Sequence, residues 1–274
     1  MRSFALESWD ENRLTVNREF TEILRANELT TFDSLMNYSG GRVAKSLLRE
    51  RTTVQIELDD SDGTRRAFYL KRHLPPPWKE YVKPLLRLTR PILGARNEWH
   101  AIIQFHKVGI ETMIPVAVGK RGRTSFLLTE SIDGCQKLSQ WMENSRRSND
   151  TSADHLTASM VDRVAQVART MHAAGLHHQD FYLTHLMVPD DDPCRKLYVI
   201  DLGRACRRKR LSQRWIVKDL AQLNYSAGSL SQNDRRRFLE CYLDRALQDS
   251  DRPFVRRIER KTEAIARHSR KNRL

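Results

Sequence analysis

Apolar and polar positions change period along this chain, and the changes mark out its elements. From Gly41 onward, short apolar and β-branched runs are interrupted by polar turns. Residues 42–48, 52–58 and 66–71 read as three strands, with Asp59-Asp60-Ser61-Asp62-Gly63 as the turn before the third. That order predicts an antiparallel meander. Leu74-Pro75-Pro76-Pro77-Trp78 then excludes helix and central strand, because proline lacks the backbone amide both need. Trp99, Ile102, Ile103 and Phe105 recur at helical spacing over residues 97–108, and Gly109 marks the stop. Residues 112–118 and 124–129 read as two further strands. The first forty residues are polar and mixed, with Phe20, Ile23 and Leu24 marking one short helix, so residues 1–40 are predicted as an irregular, partly helical extension.

The second half changes to a helical period. Met160, Val161, Val164, Val167, Ala168 and Met171 predict a long helix over 156–174 that stops at Gly175. Residues 183–188 and 196–201 read as short strands, and 215–223, 234–248 and 254–267 as helices. The predicted class is α+β: a small antiparallel β lobe over residues 1–132, then a larger, mainly helical lobe over 133–274.

Length and composition change this picture little. With 274 residues, 39% of them hydrophobic, the chain can build a core in one large domain or in two lobes around a shared cleft. Charge adds more. Lys and Arg number 48 against 34 Asp and Glu, a net +14, which draws polyanions: nucleic acid, anionic lipid headgroups, phosphorylated sugars or an acidic protein. The interleaved strand aromatics of RNA-recognition domains are absent, so no nucleic acid partner is expected. Cys135, Cys194, Cys206 and Cys241 form no C-x-x-C pair and no disulfide framework. The first thirteen residues hold no apolar signal core, and no run approaches the roughly 18 apolar residues of a membrane span. These features predict a cytoplasmic protein, with peripheral contact at the inner face of the membrane left open.

Two motifs carry chemistry. The first is His178-Gln179-Asp180-Phe181-Tyr182-Leu183-Thr184-His185, between the long helix and a short strand. The second is Leu197-Tyr198-Val199-Ile200-Asp201-Leu202-Gly203, with Asp201 following Asp180 by 21 positions. Either triplet alone, H-x-D or D-x-G, is weak. In this order and context they match what phosphoryl transfer requires: one carboxylate to orient the attacking hydroxyl and accept its proton, a second to hold magnesium. A second-metal ligand is expected five positions after the base, where His185 stands. Lys71 ends the third strand and is placed to contact α- and β-phosphates, with Glu98 on the next helix as its carboxylate partner. Glu130 and Ile132, after the fifth strand, are expected to offer a backbone carbonyl and amide to adenine. His178, and Asp219 within Lys218-Asp219-Leu220-Ala221, are candidate braces for the catalytic loop. No G-x-G-x-x-G covers the phosphates. The turn Arg49-Glu50-Arg51-Thr52 must instead use amides, hydroxyls or arginine.

These residues resemble the Kdo/WaaP lipopolysaccharide kinase family, of protein-kinase-like bilobal fold. The segments carrying the resemblance are Pro91-Ile92-Leu93-Gly94-Ala95-Arg96-Asn97-Glu98-Trp99, Gly109-Ile110-Glu111-Thr112-Met113, the Asp180 and Asp201 motifs, and Trp215-Ile216-Val217-Lys218-Asp219-Leu220. They span roughly residues 40–245. The resemblance implies an ATP- and magnesium-dependent kinase acting on the first heptose of lipid A–core, with Asp180 as base, Asp201 and His185 on metal, and Lys71 with Glu98 as phosphate anchor. Histidine at the second-metal position is itself a family trait. Gln179 departs from the arginine common in kinases, which argues against switching by phosphorylation of an activation loop.

The charge then acquires a use, since lipid A–core is polyanionic and membrane-embedded. Arg204, Arg207, Arg208, Lys209 and Arg210 follow the metal turn, where an acceptor would dock. Trp78, Lys79, Tyr81, Lys83, Leu85, Leu86, Arg87 and Leu88 mix basic and apolar character suited to an anionic inner leaflet. Arg256, Arg257, Arg260, Lys261, Arg267, Arg270 and Lys271 read as a solvated helical face. Two rival readings stand beside this one. One is a kinase of another acceptor, such as Kdo or an aminoglycoside-like molecule. The other is a catalytically silent module binding an acidic protein partner.

Overall fold

The computed structural model describes residues 2–48, 51–75, 94–147 and 151–272. The Trp78–Leu88 stretch, the Pro91-Ile92-Leu93 part of the family string and Arg49-Glu50 lie outside them. Two compact units form, Met1–Lys107 with Met113–Asp133, and Val108–Thr112 with Gly134–Leu274.

The first unit is built on a seven-stranded antiparallel sheet: β1 (Leu6–Trp9), β2 (Leu14–Asn17), β3 (Gly41–Leu48), β4 (Arg51–Asp59), β5 (Arg65–His73), β6 (Pro115–Arg121) and β7 (Thr124–Glu130), in the order β1-β2-β6-β7-β5-β4-β3. Two short helices, α1 (Thr21–Ala26) and α2 (Phe32–Asn37), share one core with it. Strand alternation sorts the residues. Val54, Ile56, Phe68 and Leu70 are buried with Phe20 and Phe32, so Lys71 belongs to the other face, where its partner on α3 (Ala95–Lys107) lies.

The first forty residues depart from expectation. Instead of an irregular extension they supply two strands, with Leu14 paired to Gly119 and Val16 to Ala117, and both apolar side chains fully buried. Each strand is only four residues long, too short to show alternation. Their turn, Asp10-Glu11-Asn12, runs at φ of 49, 53 and 67°, a left-handed stretch without glycine that offers no familiar signal.

The second unit is mainly helical: β8 (Cys135–Lys137), α4 (Leu138–Arg147), α5 (Thr151–Ala173), β9 (Leu176–His177), β10 (Leu186–Pro189), β11 (Tyr198–Val199), β12 (Cys206–Arg207), α6 (Gln213–Ser226), α7 (Gln232–Leu243) and α8 (Arg252–Asn272). Strand 183–188 shortens, because Leu183–His185 winds into a 3-10 turn closed by His185 N–H on the Tyr182 carbonyl. Strand 196–201 shortens too, since Asp201 adopts φ 58° and ends the extended run. Helix 234–248 ends early, capped by Asp244 in the left-handed region. Gly175 (φ 75°) is required where it stands: a Cβ there would lie 2.3 Å from the Arg208 carbonyl oxygen, so β9 and β12 close only over glycine. The helices leave an apolar cavity of about 610 Å³, lined among others by Leu138, Met160, Val164, Leu223, Phe238 and Ile258. Among the described residues, no helix is long and apolar enough to cross a membrane.

Candidate active site

The phosphate anchor forms within the first unit. Lys71 Nζ lies 2.5 Å from Glu98 Oε1, and the glutamate is 1% exposed. The helix bearing Glu98 is started by the Ser125 hydroxyl, which accepts the Ala95 amide at 3.1 Å. Gly94 permits this approach: a Cβ there would stand 2.8 Å from that hydroxyl oxygen. At the end of β7, Glu130 donates its amide to the Ile114 carbonyl at 3.0 Å, and its carboxylate is taken by Arg66 at 2.5 Å. Ile132 follows two residues later, near the end of the unit.

The catalytic loop is held within the second unit by one helix. The carboxylate of Asp219, fully buried on α6, accepts the amides of His178 at 2.7 Å and Gln179 at 2.8 Å. Burial pushes its pKa up, but His172 and the loop amide outweigh that and hold it below its ordinary value. One turn on, Gln222 Oε1 accepts the Phe181 amide at 3.2 Å, and Ser226 Oγ accepts the Leu183 amide at 2.9 Å. Asp219, Gln222 and Ser226 are spaced i, i+3, i+7, so one helical stripe satisfies four loop amides. The sequence reading missed Gln222 and Ser226; polar residues in register with Asp219 on an otherwise apolar face were the available signal.

His178 sets the loop's shape. Its buried ring accepts the Asp180 amide at Nδ1 (3.2 Å) and faces the Ile200 carbonyl with Nε2 (3.0 Å), which requires the neutral Nε2–H tautomer. Burial pushes its pKa down, in keeping with that form. Gln179 adopts φ 72° and donates Nε2 to the Arg204 carbonyl at 2.7 Å, tying the loop to the turn after Asp201.

One imidazole joins the two motifs. His185 Nδ1 donates to the Asp180 carbonyl at 2.7 Å, leaving Nε2 as the lone-pair nitrogen, 3.6 Å from Asp201 Oδ2. Two donors at this spacing fit one divalent ion. Among the described residues no group of three His, Cys, Asp or Glu side chains surrounds a common point. One carboxylate oxygen and one imidazole nitrogen at this spacing leave most of a divalent ion's shell to other donors.

Of the five candidate acceptor cations, Arg204 contacts the base: its Nη1 stands 3.2 and 3.3 Å from the two Asp180 oxygens. Arg207 Nε reaches the Ala174 carbonyl at 3.3 Å. Arg208 donates Nε to His177 at 3.2 Å and lies over the Trp215 ring. Lys209 and Arg210 are exposed. Lys218, beside Asp219, also sits against Trp215, and burial followed by the Arg204 charge pushes its pKa down. Arg256, Arg257, Arg260, Lys261, Arg267, Arg270 and Lys271 are exposed along α8.

Relatives match most of the chain. A curated protein of Pseudomonas aeruginosa, "Lipopolysaccharide core heptose(I) kinase WaaP", is 34% identical over 239 residues, 82% of this chain and 86% of its own. An Escherichia coli protein of the same name is 35% identical over 214 residues, 74% and 78% of the two chains. A solved structure described as "WaaP in complex with acyl carrier protein" superposes with a TM-score of 0.71 at 31% identity, covering 92% of this chain and 98% of that one. Residues 36–242 match the sequence profile of the Lipopolysaccharide kinase (Kdo/WaaP) family, and the chain belongs to that family.

Proposed function

We propose that this chain transfers the γ-phosphoryl group of ATP to a hydroxyl of heptose I in the lipopolysaccharide inner core. The observation that carries the reading is the place of His185, whose ring donates from Nδ1 to the carbonyl of the proposed base Asp180 and brings Nε2 within 3.6 Å of Asp201 Oδ2, the proposed metal ligand. Asp180 orients the acceptor hydroxyl and takes its proton. The acceptor oxygen forms a bond to the γ-phosphorus, the bond to the β–γ bridging oxygen breaks, and ADP leaves. Lys71, oriented by Glu98, neutralises α- and β-phosphate oxygens. Glu130 and Ile132 contact adenine through their backbone. Asp201 and His185 would hold magnesium, whose chemistry is to offset the phosphate charge.

Arg204, Arg207, Arg208, Lys209 and Arg210 meet the anionic groups of the core, and a basic surface of this kind supports work at the cytoplasmic face of the inner membrane. An acidic partner fits the same reading. One solved relative is described as complexed with acyl carrier protein, this chain carries +14, and its apolar cavity suits an acyl chain. Co-elution with purified acyl-loaded carrier protein that weakens when the carrier is unloaded tests that partner.

Radiolabel transfer from ATP to deep-rough lipid A–core tests the activity. Asp180→Ala should lose on the order of 10²–10⁴ in rate, the usual contribution of a positioned base. Equal transfer by both proteins rejects Asp180 as base. Transfer to Kdo or an aminoglycoside, but not to the core, moves the assignment to another acceptor.

A further inference from the structure

The buried carboxylate of Glu98 is only half satisfied by Lys71. Its Oε1 takes the ammonium, while Oε2 is shut off from solvent and, among the described residues, makes no hydrogen bond. Among the described residues the cation next to Oε2 is Arg51, whose Nη2 lies 3.8 Å away, within ion-pair range and beyond hydrogen-bond range. An arginine held near but not on a buried carboxylate keeps most of its five N–H donors for something else.

Strand register explains how Arg51 comes to stand there. Arg51 opens β4 opposite His73 of β5, and two residues on Thr53 stands opposite Lys71. Residues opposite each other in an antiparallel pair share a face, as do residues two apart along a strand. Arg51, Thr53, Lys71 and His73 therefore lie on one face, the face where Glu98 meets Lys71. Burial, then the charges of Arg51 and Lys71, push the His73 imidazole down to about 4, so it is neutral near pH 7. The cluster holds two cations on one carboxylate, a surplus of positive charge. The Arg51 side chain is 42% exposed, so its outer donors reach solvent.

The sequence has no glycine-rich phosphate loop, whose bare amides would otherwise cover a triphosphate. A guanidinium presents a planar fork that matches phosphate oxygens two at a time. We propose that Arg51 is a nucleotide-phosphate ligand, meeting the β- and γ-phosphate oxygens of the triphosphate anchored by Lys71 in place of glycine-loop amides. The inference rests on the kinase reading, and its test separates the two.

Isothermal titration of adenosine, ADP and ATP, the nucleotides with magnesium, is measured for the wild type, Arg51→Ala, Arg51→Lys and a control, Arg65→Ala, an exposed arginine of the same sheet bound to Glu57 and Asp59. Arg51→Ala should weaken ADP and ATP by about 10- to 100-fold, the range of a charge-assisted hydrogen bond, and leave adenosine affinity and Tm unchanged. Arg51→Lys should recover part of the loss, keeping charge without the fork. Arg65→Ala should bind as the wild type does. Unchanged ATP affinity in Arg51→Ala overturns the proposal. So does an equal loss for adenosine with a lowered Tm, which assigns Arg51 to neutralising Glu98 alone. A wild type that binds neither nucleotide overturns the kinase reading itself.

Discussion

The carboxylate of Asp219 accepts the backbone N–H of His178 at 2.7 Å, fixing the residue two before the proposed base from a helix forty-one positions further along the chain. Its other oxygen takes Gln179 at 2.8 Å. Removing the carboxylate strands two buried amides and His172, and each stranded donor costs about 1–3 kcal/mol. Asp219→Ala should therefore lower unfolding stability by about 3 kcal/mol or more in urea titration and reduce transfer beyond the loss of folded protein. Asp219→Asn keeps one acceptor oxygen and should fall between. An Asp219→Ala protein with wild-type stability would show that the loop holds its shape unaided.

How far the site was legible follows from how local each contact is. Asp180, Asp201 and His185 stood out because phosphoryl transfer demands carboxylates at a recognisable spacing around a strand and turn. Lys71 and Glu98 were legible as a strand-end lysine facing the next helix. Strands β3 to β7 showed themselves as short apolar and β-branched runs between polar turns, with clear alternation in β4 and β5, whereas β1 and β2 did not: Leu14 and Val16 carry the whole apolar signal of a four-residue strand. Gln179 and Asp201 adopt left-handed φ without being glycine, a choice imposed by contacts such as Gln179 on the Arg204 carbonyl. The Arg204–Asp180 ion pair spans twenty-four positions and depends on that turn, so no local pattern announced it.

His185 has two duties that substitution can separate. Nδ1 holds the Asp180 carbonyl, and Nε2 faces Asp201. His185→Ala loses both, and should raise the magnesium concentration for half-maximal transfer by at least about tenfold, the scale seen when metal-site partners are removed. His185→Asn returns an oxygen donor of the kind magnesium prefers and should recover most of that requirement. The check is transfer rate against free magnesium at saturating ATP. A His185→Ala enzyme with an unchanged magnesium profile would remove this residue from the metal.

Acid should destabilise the fold through two imidazoles, those of His177 and His73. His177, wholly buried, accepts Arg208 Nε–H at Nε2, so the neutral ring carries its proton on Nδ1. Burial pushes its pKa down to about 4. Asp219 opposes the shift, while Arg208 and Lys218 add to it. His73 in the first unit is pushed down to about 4 by burial, Arg51 and Lys71. Both rings start from an ordinary value of 6.5. As pH falls through 6.5 the unfolded chain takes up these protons and the folded chain does not, so stability drops with pH until about 4, where the folded rings protonate as well. Above 6.5 the effect is fully present and flat. Asp219, held below its ordinary 3.8, adds a further loss only below that value. Tm measured from pH 8 to 4.5 at fixed ionic strength should be level down to about 7 and then decline. His73→Gln should flatten part of the decline, since glutamine cannot be protonated. A Tm that stays level from pH 7 to 5 would mean that these two imidazoles take up protons as readily in the folded chain as in the unfolded one, against the burial and the neighbouring cations that surround them.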